Sequence, residues 1–237
     1  MTVAIIGTGN IGGTVARLLV AGGETVVLSA SDVPEAAARE LGAHARAAAV
    51  PDAIELAEVV IFAVLLDVMK ELIGVNRSRL EGKVVIDPSN PIAPDGQGGF
   101  KRTLPDGVSA GSVIASLLST GSHYAKAFGT VGAPSLASGA HRTPERAVLF
   151  YATDDDQAAQ SVEELIVTAG FDPLKVGGVD SAIRIQMFGD LHDFGGLKGR
   201  LVNREEARAA VAAARSESQG FFRARCASGW PSSSVAG

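Results

Sequence analysis

The stretch Val3-Ala4-Ile5-Ile6-Gly7-Thr8-Gly9-Asn10-Ile11-Gly12-Gly13-Thr14-Val15-Ala16-Arg17-Leu18-Leu19 decides the fold. Val3 to Ile6 is a short apolar run of the kind that forms a strand buried on both faces. Gly7, Gly9 and Gly12 spell G-x-G-x-x-G, and Ile11, Val15, Leu18 and Leu19 follow at helical spacing. The glycines therefore join a buried strand to a helix. Gly7 suits a tight turn, Gly9 lets backbone approach a pyrophosphate, and Gly12 lets helix and strand pack closely. The helix N-terminus adds free N–H groups and the positive end of its dipole. A glycine-rich turn has no such meaning by itself. Its position between strand and helix, with an acidic residue about 20 positions on, makes it a dinucleotide-binding fingerprint.

Outward from this loop, Gly22-Gly23 ends the helix, and Glu24 to Leu28 reads as the second strand of a β–α–β unit. That strand runs into Ser29-Ala30-Ser31-Asp32, where such a fold meets the adenosine ribose. Asp32 can accept hydrogen bonds from ribose hydroxyls, and it can equally cap a helix opening at Pro34. No Arg or Lys stands at this strand end, so the residues themselves favour NAD(H) over NADP(H).

Val59 to Val64 is a further buried strand, which places Ala63, Val64 and Leu65 at the carboxyl edge where ligands bind in open α/β sheets. Lys83 to Ile86 is another, ending in the rigid Asp87-Pro88-Ser89-Asn90-Pro91, with Asn90 suited to bond an amide or ribose. Tyr124 to Phe128 is a third, leading into Gly129-Thr130-Val131. These three loops are expected to converge on one pocket. Residues 92–107 read as a long loop, either functional or mobile, 135–145 as turn-rich, and 179–191 and 205–218 as helices. The domain reading is a doubly wound Rossmann domain over 1–145 and a smaller C-terminal domain over 146–237.

Composition narrows the function. At 237 residues the chain can bury a substantial core. Its net charge of −5, without a basic cluster, argues against a nucleic-acid partner. No apolar run is long enough to span a bilayer. A single cysteine, Cys226, fits a reducing, cytoplasmic setting and carries no nucleophile motif. His44, His123, His141 and His192 lack metal-ligand spacing, and the run Asp154-Asp155-Asp156 suits a helix start better than a metal site. The side chains suited to donate a proton near a bound ring are Lys126, Tyr124 and His192. Lys126 reads equally as a strand residue packing its stem.

Three segments carry a resemblance: Gly7-Thr8-Gly9-Asn10-Ile11-Gly12, Val84-Val85-Ile86-Asp87-Pro88-Ser89-Asn90-Pro91 and Lys126-Ala127-Phe128-Gly129-Thr130. They are similar to the patterns GTGNIG, VVIDxTNP and KAFNT of the F420-dependent NADP oxidoreductases. Over residues 1–195 the chain resembles that family, and its dinucleotide part also resembles ferric reductases of the STEAP type. The resemblance implies NADP(H) as cofactor, with Thr8, Asn10 and Ile11 beneath it and the adenosine end at Ser29 to Asp32. It places the nicotinamide near Ala63 to Leu65, Asn90-Pro91 and Thr130-Val131. It further implies a deazaflavin coenzyme, F420, as hydride partner, and a homodimer. Hydride transfer between stacked rings needs positioning more than a protein acid or base. The sequence departs from the family twice. Asp32 stands where a 2′-phosphate-binding Arg is usual. Gly129 replaces Asn, which implies either a lost hydrogen bond or a pocket opened for a larger acceptor. Two other readings are a reductase of a small C=N or C=O substrate and a non-catalytic NAD(P) sensor.

Overall fold

The computed structural model describes residues 1–31, 34–97 and 99–213. Asp32, Cys226 and the Ser-rich tail lie outside them. Among the described residues ten strands form, in chain order: β1 (Thr2–Ile6), β2 (Thr25–Ser29), β3 (Ala45–Ala47), β4 (Val59–Phe62), β5 (Val84–Asp87), β6 (Ile92–Pro94), β7 (Phe100–Arg102), β8 (His123–Lys126), β9 (Val148–Ala152) and β10 (Asp172–Gly177). Seven helices join them: α1 (Asn10–Ala21), α2 (Pro34–Leu41), α3 (Val50–Leu56), α4 (Leu66–Asn76), α5 (Ala110–Leu117), α6 (Ala133–Gly139) and α7 (Asp156–Thr168). Residues 204–213 are also helical.

Eight strands make one sheet in the order β10-β9-β8-β5-β4-β1-β2-β3. From β3 to β8 every pairing is parallel, in the doubly wound order expected from the sequence. Strand alternation divides the core. Val3 and Ile5 face α1 and α7 with Val15, Leu19, Val162 and Leu165. Ala4 and Ile6 face the other way, toward Ala53, Ile54, Met69, Ile73 and Ile114 of α3, α4 and α5. Uniformly apolar strands are what a sheet covered on both faces demands.

β9 and β10 extend this sheet. They run parallel to each other, and β9 meets β8 antiparallel through Lys126 and Ala152. Leu149 and Tyr151 join the first core, while Val148, Phe150 and Ala152 pack with Ile185, Leu191 and Val202 in a third. The boundary drawn at 145/146 therefore marks a change of strand direction within one sheet.

Three local expectations are corrected. Residues 92–107 hold a β6–β7 hairpin, with Asp95 Oδ1 accepting from the N–H groups of Gln97 (2.7 Å) and Gly99 (2.9 Å). The turn-rich 135–145 begins inside α6, which packs on α1. The helix expected over 179–191 is a 3-10 segment, Val179–Ile185, and then irregular backbone. It stops because Gln186 Oε1 accepts from Ala110 N–H and Asn90 Oδ1 from Met187 N–H, while Phe188 takes φ 72°.

Candidate active site

Parallel register brings the strand ends together. Ile6 stands beside Ser29 and Phe62, and Asp87 beside Lys126, so the loops after β1, β2, β4, β5 and β8 open on one edge. A cleft of about 820 Å³ lies there. It runs from Ala30 and Ser31 at the β2 end, past the glycine loop, to Pro88, Ser89, Asn90 and Ile92 at the β5 end.

The glycine loop is fixed by close backbone contacts. Gly7 has φ 98° and its N–H bonds the Ser29 carbonyl at 2.7 Å. A Cβ on Gly7 would lie 2.4 Å from the Ala63 carbonyl oxygen, and one on Gly12 only 2.0 Å from the Gly7 oxygen. Gly9 differs, since a Cβ there would meet nothing within 4 Å and would project into open space. Gly9 caps α1 without a side-chain hydrogen bond, and no acidic residue occupies the first turn. The first N–H groups of α1 thus face the cleft with their dipole uncompensated. A pyrophosphate fits this cradle: backbone donors converge and nothing but Gly9 stands over them.

Of the expected contact residues, Gly7, Thr8, Gly9, Asn10, Ile11, Ala30, Ser31, Ala63, Val64, Leu65 and Asn90 line the cleft. Gly12 and Ser29 lie beneath it as supports. Sequence reasoning missed Val50, Val68 and Leu72, apolar residues that also line the cleft and suit contact with an adenine. The i, i+4 spacing of Val68 and Leu72 on α4 contained that signal; Val50, which opens α3, had none.

Pro91, Thr130 and Val131 are buried away from the cleft. The loop after β8 is covered by residues 186–199. Asp193 N–H bonds the Thr130 carbonyl (3.2 Å), and Asp193 Oδ2 accepts from Gly132 N–H (2.8 Å). Burial pushes the Asp193 carboxyl up. The hydrogen bonds from His192, Gly132 and Phe194 outweigh that and hold it below the usual carboxylate range. Gly129 opens no pocket: a Cβ there would lie 2.2 Å from the Pro88 oxygen, so a glycine lets the two loops touch. Asn90 ties three segments together. Its Nδ2 donates to the Gly129 carbonyl (3.0 Å) and its Oδ1 accepts from Met187 N–H (2.6 Å).

Beneath the β5 end lies a buried polar group. Asp87, fully buried, accepts from Tyr124 O–H (2.9 Å) and pairs with Lys126 (3.1 Å). Burial lowers the Lys126 ammonium below its ordinary range, with Asp87 opposing, and raises the Tyr124 phenol well above its own. His192 is buried too, its Nε2 donating to the Gly129 carbonyl (3.0 Å) and its Nδ1 facing Phe194 N–H (2.9 Å). None of the three expected proton donors lines the cleft. Among the described residues no cluster of potential metal ligands occurs, and no helix is long and apolar enough to cross a membrane.

The sheet order, the glycine loop and the cleft over the strand ends define a doubly wound, dinucleotide-binding type of α/β protein. Residues 2–91 match the model of the family described as NADP oxidoreductase, coenzyme F420-dependent. A search of curated proteins finds no match. A hypothetical protein from Sinorhizobium meliloti is 30% identical with a TM-score of 0.73, over 81% of this chain and 93% of that one. A protein from Arthrobacter sp. FB24 designated an F420-dependent NADP-reductase is 22% identical (TM-score 0.67), over 77% and 87%. A reductive aminase from Aspergillus terreus, in complex with NADPH4, cyclohexanone and allyl amine, is 21% identical (TM-score 0.56), over 76% and 56%. The last two are likenesses of fold.

Proposed function

We propose that this protein transfers hydride between NADP(H) and a planar acceptor, a deazaflavin of the F420 type. One observation carries the reading: among the described residues, no titratable side chain lines the cleft. A bound nicotinamide would supply the hydride-carrying ring. The protein's part is then to hold and exclude. The α1 N-terminus and Gly9 hold the pyrophosphate, Ala30 and Ser31 meet the adenosine ribose, and Val50, Val68 and Leu72 flank the adenine. Pro88, Ser89, Asn90 and Ile92 bound the ring end. This division follows the strand order, because β4 and β1 lie between the ribose-reading β2 and β5.

Reduction of a C=N or C=O group needs a proton donor at the substrate. Lys126 and Tyr124 are bound to Asp87, and His192 to Gly129, so none is presented to the cleft. The test is a titration with NADPH and NADH, then an acceptor screen that follows loss of the reduced nicotinamide. NADPH oxidation by F420, with none by cyclic imines or ketones, is expected. Turnover of imines or ketones without F420 overturns the reading in favour of a carbonyl or imine reductase. Binding without any turnover overturns it in favour of a sensor.

A further inference from the structure

Ser89 stands apart from the other polar residues of the cleft wall. Its backbone is held on both sides by the buried ion pair. Its N–H donates to Asp87 Oδ1 (2.7 Å), and its carbonyl accepts from Lys126 Nζ. Tyr124 O–H and Lys126 fix the other carboxylate oxygen of Asp87. Two charged groups and a phenol, all buried, thus hold one serine at the ring end of the cleft. Ser89 is itself only 6% exposed and lines the cleft, and its Oγ has no hydrogen-bond partner. A buried hydroxyl without a partner costs free energy in the empty protein, and turning the Ser89 side chain about its Cα–Cβ bond toward a group in the cleft would recover it.

We infer that Ser89 Oγ is the hydrogen-bonding contact for the nicotinamide half of the dinucleotide, with Asp87 and Lys126 as its positioning residues. The partner chemistry is a neutral polar group, the carboxamide or a ribose hydroxyl. A hydroxyl that both donates and accepts serves either one, and no charge is required. This inference rests on the dinucleotide reading of the cleft and is independent of which acceptor takes the hydride.

The experiment compares wild type with Ser89→Ala and Ser89→Thr. Each is titrated with NADPH, with 3-acetylpyridine adenine dinucleotide phosphate in its reduced form, and with 2′,5′-ADP, which lacks the nicotinamide half. Ser89→Ala is expected to weaken NADPH about 3- to 10-fold, the range of one neutral hydrogen bond, and to leave 2′,5′-ADP unchanged. Ser89→Thr, which keeps the hydroxyl, restores NADPH binding. A penalty that disappears with the acetylpyridine analogue assigns the contact to the carboxamide N–H; one that persists assigns it to the carboxamide oxygen or a ribose hydroxyl. The melting temperature of ligand-free Ser89→Ala should stay level or rise, because an unpartnered hydroxyl has gone. Equal NADPH affinity in wild type and Ser89→Ala overturns the inference, as does equal weakening of NADPH and 2′,5′-ADP. Failure of the dinucleotide reading is a different result: wild type then binds neither NADPH nor NADH.

Discussion

The two ends of the cleft are built from different materials. At the β1–β2 end the wall is backbone. Gly7 and Gly12 touch each other and Ala63 at distances no side chain would allow, and the ligand-facing groups are N–H donors of α1. At the β5–β8 end the wall is held by side chains reaching across the chain. Asp87, Tyr124 and Lys126 fix Ser89, and Asn90 joins Gly129 to Met187. The first construction is local in sequence and needs only small residues at set intervals. The second needs the sheet to be formed before its members meet. A phosphate has the same shape in every nucleotide and suits a fixed backbone cradle. Under the proposed function the β5 end must match a particular pair of reactants, and side chains can be varied there without disturbing the turn.

Removing one partner from the buried pair tests this contrast hardest. Lys126→Met leaves Asp87 charged with no counterion in a dry site, and should cost about 3–5 kcal/mol in urea unfolding. The double variant Asp87→Asn/Lys126→Met removes both charges and should regain much of that loss. A Lys126→Met protein as stable as wild type would mean that the pair holds nothing. It would also remove the reason for treating the ring end as side-chain-built.

The glycine end breaks differently. Gly12→Ala drives a methyl into the Gly7 carbonyl, and overpacking of this kind costs about 1–3 kcal/mol. Gly9→Ala meets nothing, so the empty protein should melt as wild type does. Its methyl would instead occupy the space a pyrophosphate requires, and NADPH binding should fall at least about tenfold. Calorimetry with and without nucleotide separates the two variants. If Gly9→Ala binds NADPH normally, the cradle is not where the phosphates rest.

The same contrast explains what could be read in advance. The strand order, both core faces and the glycine loop follow from periodicity and from residues within one β–α–β unit. Ser89 was passed over because nothing near it in sequence marks it. Its significance comes from Lys126, 37 positions away. Asn90 reads as a ligand contact from its place at a strand end and lines the cleft, while its side chain also bonds backbone groups 39 and 97 residues distant. Thr130 and Val131 follow a strand end as expected, but residues 186–199 fold over them, a covering that periodicity does not reveal. The helix expected over 179–191 failed for a related reason: the Asn90 side chain takes a backbone N–H. The reading of Asp32 falls outside the described residues, so the nucleotide titration decides it.

The smallest effect belongs to the seam where β9 joins the parallel strands, far from the glycine loop. Asp155 caps α7 by accepting from Ala158 N–H (2.8 Å) and pairs with His123 Nδ1 (2.7 Å) at the start of β8. Thr153 Oγ1 links the same corner to the Tyr124 carbonyl at 2.6 Å. Desolvation pushes the Asp155 carboxyl up, but the cap bond and His123 outweigh it and hold its pKa below the ordinary value. A carboxyl lowered on folding contributes stability that is present above its unfolded pKa of about 3.9 and is lost as pH falls through the folded one. Asp155→Ala should therefore cost about 1 kcal/mol at neutral pH, and the gap to wild type should narrow below about pH 4. NADPH affinity should not move, because the seam supports the sheet and touches neither end of the cleft. If Asp155→Ala weakens NADPH as much as Ser89→Ala does, the ring end depends on the whole sheet extension. The side-chain-built wall would then reach beyond Asp87, Tyr124 and Lys126 into β9 and α7.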